Sequence, residues 1–150
     1  FTLGHRYVVE RAAACFDEVV ITVVVNPNKR GMFGVDERIE LIEEDCADLA
    51  NVRVDRWEGL LVDYLRQESI HTIVKGLRSA VDFDYEVPMA QMNRELADVE
   101  TIFLLTDPRF AHVSSSLVKE VAKLGGDVTP FLSAHVHKSL MSRLSGEPSA

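Results

Sequence analysis

Apolar and polar residues form alternating blocks along the chain, and their spacing predicts helices and strands in turn. Apolar residues recur at helical spacing over residues 4–16, and the β-branched run Val19–Val25 follows. That run is apolar at nearly every position, as expected of a strand covered on both faces. After a loop at residues 26–31, Asp36 is predicted to cap an amphipathic helix that continues to about Leu49.

The second half of the chain continues this alternation. We predict strands at residues 51–55, 71–75 and 101–105, and helices at 60–67, 82–96, 114–124 and 134–144. Pro88 lies within the second of these helices, and a proline beyond the first turn costs about 3 kcal/mol. The regular helix is therefore expected to start near Val87 or to kink there. Residues from about 145 to 150 are expected to form a flexible tail.

The order of elements indicates an α/β fold with a doubly wound, Rossmann-like parallel sheet and helices on both faces, in a single domain over residues 1–150. A doubly wound domain normally opens on a strand that feeds its first phosphate-binding turn. This sequence opens on a helix instead. We therefore expect that a leading strand and half of its loop are missing ahead of that helix.

Composition narrows the class of protein. Hydrophobic residues make up 47% and charged residues 27%, as in ordinary soluble globular proteins. The longest strongly apolar run is too short to span a bilayer, and no secretory leader is visible, so we expect a cytoplasmic protein. Cys15 and Cys46 are interpreted as packed, reduced thiols. The histidines and acidic residues show no zinc-type spacing, so no structural metal is predicted.

The net charge of −8 argues against binding to nucleic acid or to an anionic membrane, but a small phosphorylated ligand needs only a local cluster of cations. Ligands of parallel sheets bind beyond the carboxyl ends of the strands. The cationic side chains at the predicted strand ends are Lys29, Arg30, Lys75, Arg78, Arg109 and His112. His5 and the serines at 114–116 lie at helix N-termini, whose free N–H groups favour phosphate. The pattern predicts a polyphosphate site at one edge of the sheet.

Each of these features also has a purely structural explanation. Lys29 and Arg30, taken alone, are more often solvated loop charges, and one serine at 114–116 suffices as a helix cap. Lys75 is expected to be partly shielded from solvent, and its position alone favours a functional and a purely structural role about equally. Met89 and Met92, three residues apart on a helix, are expected in the core or in a subunit contact.

Several motifs resemble those of a known family. Thr2-Leu3-Gly4-His5 resembles the T/H-x-G-H signature of the nucleotidyltransferase superfamily that includes class I aminoacyl-tRNA synthetases. Further motifs are similar, in order, to those of bacterial phosphopantetheine adenylyltransferases: Asn26-Pro27-Asn28-Lys29, Val74-Lys75-Gly76-Leu77-Arg78, Asp82-Phe83-Asp84-Tyr85-Glu86, Met89-Ala90-Gln91-Met92-Asn93 and Ser114-Ser115-Ser116-Leu117-Val118-Lys119-Glu120-Val121. Two features depart from that family: its first strand with a Pro-Gly-Ser/Thr-Phe-Asp loop is absent, and Pro88 replaces a polar, helix-compatible residue.

The resemblance implies transfer of the adenylyl group of ATP to 4′-phosphopantetheine, which gives dephospho-coenzyme A and pyrophosphate in coenzyme A biosynthesis. It also implies Mg²⁺ as cofactor, a cytoplasmic location and a homohexamer. The acceptor phosphate is already ionised near neutral pH, so this reaction needs no general base. Catalysis then depends on in-line positioning and on stabilising the charge of the phosphates.

The resemblance also implies roles for individual residues. Catalytic roles fall to His5, Lys29 and Arg78. The residues implied in ATP binding are His5, Gly76, Leu77, Arg78, Glu86, Phe110, Ala111, His112, Val113, Ser114, Ser115 and Ser116. The residues implied in binding the acceptor are Lys29, Leu61 and Lys75, and no residue is implied as a metal ligand.

Two other functions are compatible with these residues. The chain could be another small-molecule nucleotidyltransferase of the same superfamily, with nicotinamide mononucleotide or glycerol phosphate as acceptor. It could also be a non-catalytic nucleotide sensor on this fold. A screen of acceptors with ATP distinguishes another nucleotidyltransferase from a phosphopantetheine adenylyltransferase. Binding of ATP without turnover would favour the nucleotide sensor.

Overall fold

A computed structural model of the chain describes residues 1–25 and 31–146. The predicted loop that carries Lys29 and Arg30, and the end of the predicted tail at 147–150, lie outside the described residues. The helices and strands are α1 Leu3–Ala13, β1 Val19–Val25, α2 Val35–Cys46, β2 Val52–Glu58, α3 Leu61–Gln67, β3 Thr72–Leu77, α4 Ala80–Ala97, β4 Glu100–Leu105, α5 Ser115–Lys123 and α6 Ala134–Ser145. Short 3₁₀ turns at Pro108–Phe110 and Thr129–Phe131 were not predicted.

The strands pair in parallel, which confirms the α/β class. β1 pairs with β2 from Val19 opposite Val52 to Val25 opposite Glu58. β3 pairs with β4 in the same way, along the full length of both strands. Within residues 1–25 and 31–146 the two pairs remain separate two-stranded sheets. A cavity of about 500 Å³ separates β1 from β3, and α1 and α3 also contribute to its lining.

Three clusters of buried apolar side chains hold these layers together. One lies between α5, α6 and the Thr129–Phe131 turn, and it includes Val128 and Val136. A second packs α3 against β3 and the start of β4 around Tyr64. A third lies between α2 and the β1–β2 sheet. The clusters fix the positions of α1, β3 and α5, which carry most of the predicted site.

α1 ends at Ala13, three residues before the predicted end. The carbonyl oxygens of Ala13 and Phe16 both accept hydrogen bonds from the Asn51 side-chain amide, at 2.9 Å each. Carbonyl groups at a helix C-terminus lack partners within the helix. Asn51 supplies one from the start of the next strand pair and so ties the end of α1 to β2.

The predicted cap of α2 is wrong. The helix starts at Val35 with Gly34 as N-cap, so Asp36 lies inside the first turn. Glu37 provides the cap instead, because its Oε2 accepts a hydrogen bond from the Gly34 backbone N–H at 2.6 Å. Asp36 remains favourable there because an acidic side chain in the first turn complements the helix dipole.

The helix predicted over 82–96 is confirmed as α4, but the expectation that its regular part starts near Val87 is wrong. The helix begins at Ala80, and Pro88 lies inside it. Ser79 is the N-cap and accepts a hydrogen bond from the Asp82 backbone N–H at 3.3 Å. The carbonyl of Asp84 loses its intrahelical donor at Pro88, but both residues are exposed, so water can satisfy that group.

Three further predictions need correction. β3 extends through Leu77, two residues beyond the predicted end, so Lys75 lies inside the strand and not at its end. Ser145 is the last residue of α6 and does not belong to the tail. Cys15 is exposed, whereas Cys46 is buried as predicted, and burial raises the pKa of the Cys46 thiol to about 11. None of the described helices combines the length and the apolarity needed to cross a bilayer.

Candidate functional site

The N-terminus of α1 places His5 through a reciprocal cap. Thr2 is the N-cap, and its hydroxyl accepts from the His5 backbone N–H. In return, Nδ1 of His5 accepts from the Thr2 backbone N–H at 3.0 Å and lies 2.8 Å from the Thr2 hydroxyl. An imidazole nitrogen that accepts a backbone N–H carries no proton. The neutral ring of His5 therefore bears its proton on Nε2, which has no hydrogen-bond partner among the described residues and can donate to a ligand.

Desolvation of the ring lowers the pKa of His5 to about 4, and the positive charge of Arg78 adds to this effect. The residue as a whole nevertheless remains exposed to solvent. At neutral pH the ring is therefore a hydrogen-bond donor without charge.

We expect His5 to stay neutral, as the Nε2–H tautomer, from pH 8 down to about pH 5. The unfolded chain takes up a proton at the ordinary histidine pKa near 6.5, and the folded chain does not. The contribution of His5 to stability is therefore complete above about pH 6.5 and is lost as the pH falls towards 4. NMR titration of ¹⁵N-labelled histidine tests this directly. A midpoint near 6.5 for His5 would contradict the assignment.

Arg78 follows β3 and joins three elements. Its Nε and Nη2 donate to the two carboxylate oxygens of Asp82 at 2.9 Å each. Its Nη1 donates to the backbone carbonyl of Val113 at 3.1 Å. Asp82 lies in the first turn of α4, and Val113 immediately precedes the N-cap of α5. The guanidinium of Arg78 thus holds the end of β3, the start of α4 and the start of α5 together.

The N-terminus of α5 provides free backbone donors beside this arginine. Ser114 is the N-cap, as predicted, and its hydroxyl accepts from the Leu117 backbone N–H at 3.2 Å. Ser115 and Ser116 are exposed in the first turn, where backbone N–H groups lack partners within the helix. Helix N–H groups of this kind favour anions. The segment from Phe110 to Val113 connects this end of α5 to the mouth of α1, because a Cβ at Gly4 would lie 3.3 Å from the Phe110 Cβ.

Lys75 is one of the residues that line the cavity between the two sheets. Its Nζ forms an ion pair with Glu86 Oε2 at 3.4 Å. The side chain is partly shielded, as predicted. Leu61, at the start of α3, lines the same cavity. Two of the residues predicted to bind the acceptor therefore border one cavity, whereas Lys29 lies outside the described part of the chain.

Gly76 allows α1 to approach β3 closely. A Cβ at this position would lie 2.6 Å from Val8 Cγ2, well inside normal contact. Valine has little freedom at χ1 within a helix, so the clash cannot be relieved by a simple rotation. The glycine thus sets how near the helix that carries His5 lies to the strand that carries Lys75.

We expect Gly76→Ala to lower the free energy of unfolding by about 1–3 kcal/mol through overpacking. Adding Val8→Ala should restore part of that loss, because it removes the methyl group that the new Cβ meets. Urea unfolding of the single and double variants measures both effects. Equal stability of Gly76→Ala and the wild type would contradict the close packing.

The structure brings together His5, Gly4, Arg78 and the segment at 110–114. The side chains of Leu77 and Val113 are buried in the core, so only the backbone atoms of these two residues can face a ligand. Sequence reasoning assigned no role to Asp82. The pattern Ser79-x-x-Asp82 was a usable signal, because a serine three residues before an acidic residue is typical of a helix N-terminus.

Within residues 1–25 and 31–146, no group of three or more His, Cys, Asp or Glu side chains could hold a metal ion. Asp82 and Glu86, two carboxylates of the site, form ion pairs with Arg78 and Lys75 respectively.

A family model described as cytidylyltransferase-like matches residues 1–121 of the chain.

Proposed function

Since the chain belongs to the cytidylyltransferase-like family, whose members are nucleotidyltransferases, we propose that it transfers AMP from ATP to 4′-phosphopantetheine. The products are dephospho-coenzyme A and pyrophosphate. The family membership supports a nucleotidyltransferase. The acceptor is proposed from the motifs between Thr2 and Val121 that resemble phosphopantetheine adenylyltransferases.

One observation carries the proposal: Arg78 Nη1 donates to the carbonyl of Val113, directly before the α5 cap, and Phe110 of the same segment lies against Gly4, next to His5. Three groups that can contact phosphate oxygens are thereby collected at one place. They are a guanidinium, the Nε2–H of a neutral imidazole and the free N–H groups of a helix N-terminus. Such donors stabilise the charge that develops during phosphoryl transfer.

The proposed reaction needs positioning more than proton transfer. The acceptor phosphate oxygen attacks the α-phosphorus of ATP in line. A phosphoanhydride bond forms between the two phosphorus atoms, and the bond from the α-phosphorus to the bridging oxygen breaks, which releases pyrophosphate. The attacking oxygen is already ionised, so no side chain has to remove its proton. His5 donates through Nε2 to an oxygen of the transferring phosphoryl group, and Arg78 contacts the outer phosphates.

Lys75 and Leu61 hold the acceptor in this proposal. Lys75 exchanges Glu86 for the acceptor phosphate, and the apolar Leu61 borders the pantetheine arm in the cavity between the sheets. Lys29 is proposed to contact the same phosphate. Mg²⁺ is proposed to bind mainly through ATP phosphate oxygens, as is usual for this ion, because the nearby carboxylates already pair with Arg78 and Lys75.

An acceptor screen tests the substrate assignment. The full-length protein is incubated with MgATP and with 4′-phosphopantetheine, nicotinamide mononucleotide or glycerol phosphate in parallel, and pyrophosphate is measured. We expect release with 4′-phosphopantetheine alone. Release with another acceptor would reassign the substrate within the superfamily. ATP binding by calorimetry without turnover on any acceptor would identify a nucleotide sensor instead.

We also propose that the protein assembles into a homo-oligomer, a hexamer by its resemblance, in the cytoplasm. α4 has no buried residue, so Met89 and Met92 do not lie in the core, and a subunit contact is the other location expected for them. Tyr85, Met89, Met92 and Leu96 are four, three and four residues apart, the heptad spacing that packs one helix against another, and each is 46–76% exposed. A second copy of the chain is the proposed partner that packs against these four side chains.

Sedimentation should show that the wild type is an oligomer and that Met92→Glu dissociates it. Leu124→Glu is the control, because it introduces the same charge at an exposed leucine outside α4 and should leave the oligomer intact. A monomeric wild type would contradict the proposed assembly.

A further inference from the structure

Asp82 makes more contacts with Arg78 than any other residue among those described. Its Oδ2 accepts from the Arg78 backbone N–H at 3.0 Å and from Nε at 2.9 Å, and its Oδ1 accepts from Nη2. The carboxylate is only 24% exposed. Its pKa is lowered because these donors stabilise the charged form. Asp82 is therefore an anion at every pH at which the protein is expected to work.

We propose that Asp82 is a positioning residue, which fixes the plane of the Arg78 guanidinium so that its remaining N–H groups face the phosphates bound at the α5 N-terminus. The proposal rests on the proposed function. The carboxylate occupies Nε and one N–H of Nη2, and the Val113 carbonyl occupies one N–H of Nη1. The second N–H of Nη1 and of Nη2 stay available among the described contacts. A planar guanidinium with two fixed bonds can present these only in one direction.

The N-terminal cap of α4 fixes the position of Asp82. Its backbone N–H donates to the Ser79 hydroxyl, so the residue belongs to the capped first turn of α4. Arg78 lies one residue before that cap. The carboxylate and the arginine are four residues apart along the chain and are joined through both backbone and side chain. Partners that orient a ligand-binding side chain in this way typically contribute 10- to 100-fold to affinity or activity, by analogy with metal sites.

The sign of the effect on anion binding separates positioning from simple electrostatics. Removing a carboxylate near a phosphate site should strengthen anion binding if only Coulomb repulsion mattered. Loss of orientation should weaken binding, because Arg78 then samples directions that miss the anion. Asp82→Asn has nearly the same shape as Asp82 but cannot clamp both nitrogens of the guanidinium edge as two acceptors. The two explanations therefore predict opposite results for one substitution.

The experiment measures binding of inorganic tripolyphosphate and of ATP by calorimetry, beside the kinetics of pyrophosphate release, on the full chain. We expect Asp82→Asn to weaken tripolyphosphate binding roughly 10-fold and to lower kcat/KM for ATP by a similar factor. Asp82→Glu, which keeps two acceptor oxygens, should recover part of the loss. Glu10→Gln is the matched control, because it removes the carboxylate of another arginine pair with the same four-residue spacing, Arg6–Glu10 in α1. This variant should leave tripolyphosphate binding unchanged.

A double-mutant cycle makes the result specific to Arg78. In an Arg78→Ala background, Asp82→Asn should have no further effect on tripolyphosphate binding. Tighter binding by Asp82→Asn, or equal losses with and without Arg78, would overturn the proposal. If the wild type binds tripolyphosphate but releases no pyrophosphate from ATP with any acceptor, the proposed function fails, and the binding cycle still decides the role of Asp82.

Discussion

His5→Ala is expected to lower kcat roughly 100- to 1,000-fold, the usual effect of removing one donor to a transition-state oxygen. The KM for ATP should change much less, because the guanidinium of Arg78 and the α5 N-terminus remain to bind the outer phosphates. His5 is neutral with its proton on Nε2, so the loss concerns a directed hydrogen bond and not a charge. Steady-state pyrophosphate release measures both constants.

The cap that His5 provides to α1 requires a separate control. Alanine removes the acceptor for the Thr2 backbone N–H, and loss of a capping interaction typically costs about 0.5–2 kcal/mol of stability. Glutamine at the same position retains a capping acceptor, since Glu or Gln is the usual partner there. We expect His5→Gln to be as stable as the wild type but still strongly impaired in kcat. If kcat instead followed stability across the two variants, the role of His5 would be structural.

Lys75→Ala is expected to raise the KM for 4′-phosphopantetheine roughly 10- to 100-fold. A hydrogen bond to a charged group contributes about 1.5–3 kcal/mol, and about 1.4 kcal/mol corresponds to a factor of ten. The KM for ATP should change little, because Lys75 and Leu61 line one cavity and the α5 N-terminus does not line it. Initial rates measured against each substrate in turn separate these effects.

Two further variants control this result. Lys138→Ala removes an exposed lysine of α6 and should leave both constants unchanged. Glu86→Gln removes the present partner of Lys75. If Glu86 acts through Lys75, the acceptor KM changes, and if Glu86 contacts the nucleotide, as its motif implies, the KM for ATP changes. An unaltered acceptor KM in Lys75→Ala would remove Lys75 from the proposed site.

Much of the fold could be predicted because its signals are local. The run Val19–Val25 and the serine cap of α5 were identified correctly from composition and spacing. The separation of the strands into two sheets could not be predicted, since it depends on which edges meet in three dimensions. The start of the regular part of α4 could not be predicted from Pro88 alone, because the Ser79 cap fixes the first turn and Pro88 is exposed to solvent.

The candidate site was predictable in its parts but not in its pairing. Glycine and histidine at a helix start, and lysine and arginine near strand ends, are visible as residue types. Their partners are not, because ion pairs between elements depend on side-chain directions. Glu86 was expected to contact nucleotide, and the structure pairs it with Lys75. The paired hydrogen bonds between Arg78 and the Asp82 carboxylate are likewise contacts that the four-residue spacing alone does not specify.

The most direct test of the proposed reaction is product analysis by mass spectrometry, with the full-length protein, MgATP and 4′-phosphopantetheine. We expect dephospho-coenzyme A and pyrophosphate in equal amounts, and neither product when the acceptor is omitted. Hydrolysis of ATP without dephospho-coenzyme A, or complete absence of turnover despite ATP binding, would contradict the proposed adenylyl transfer.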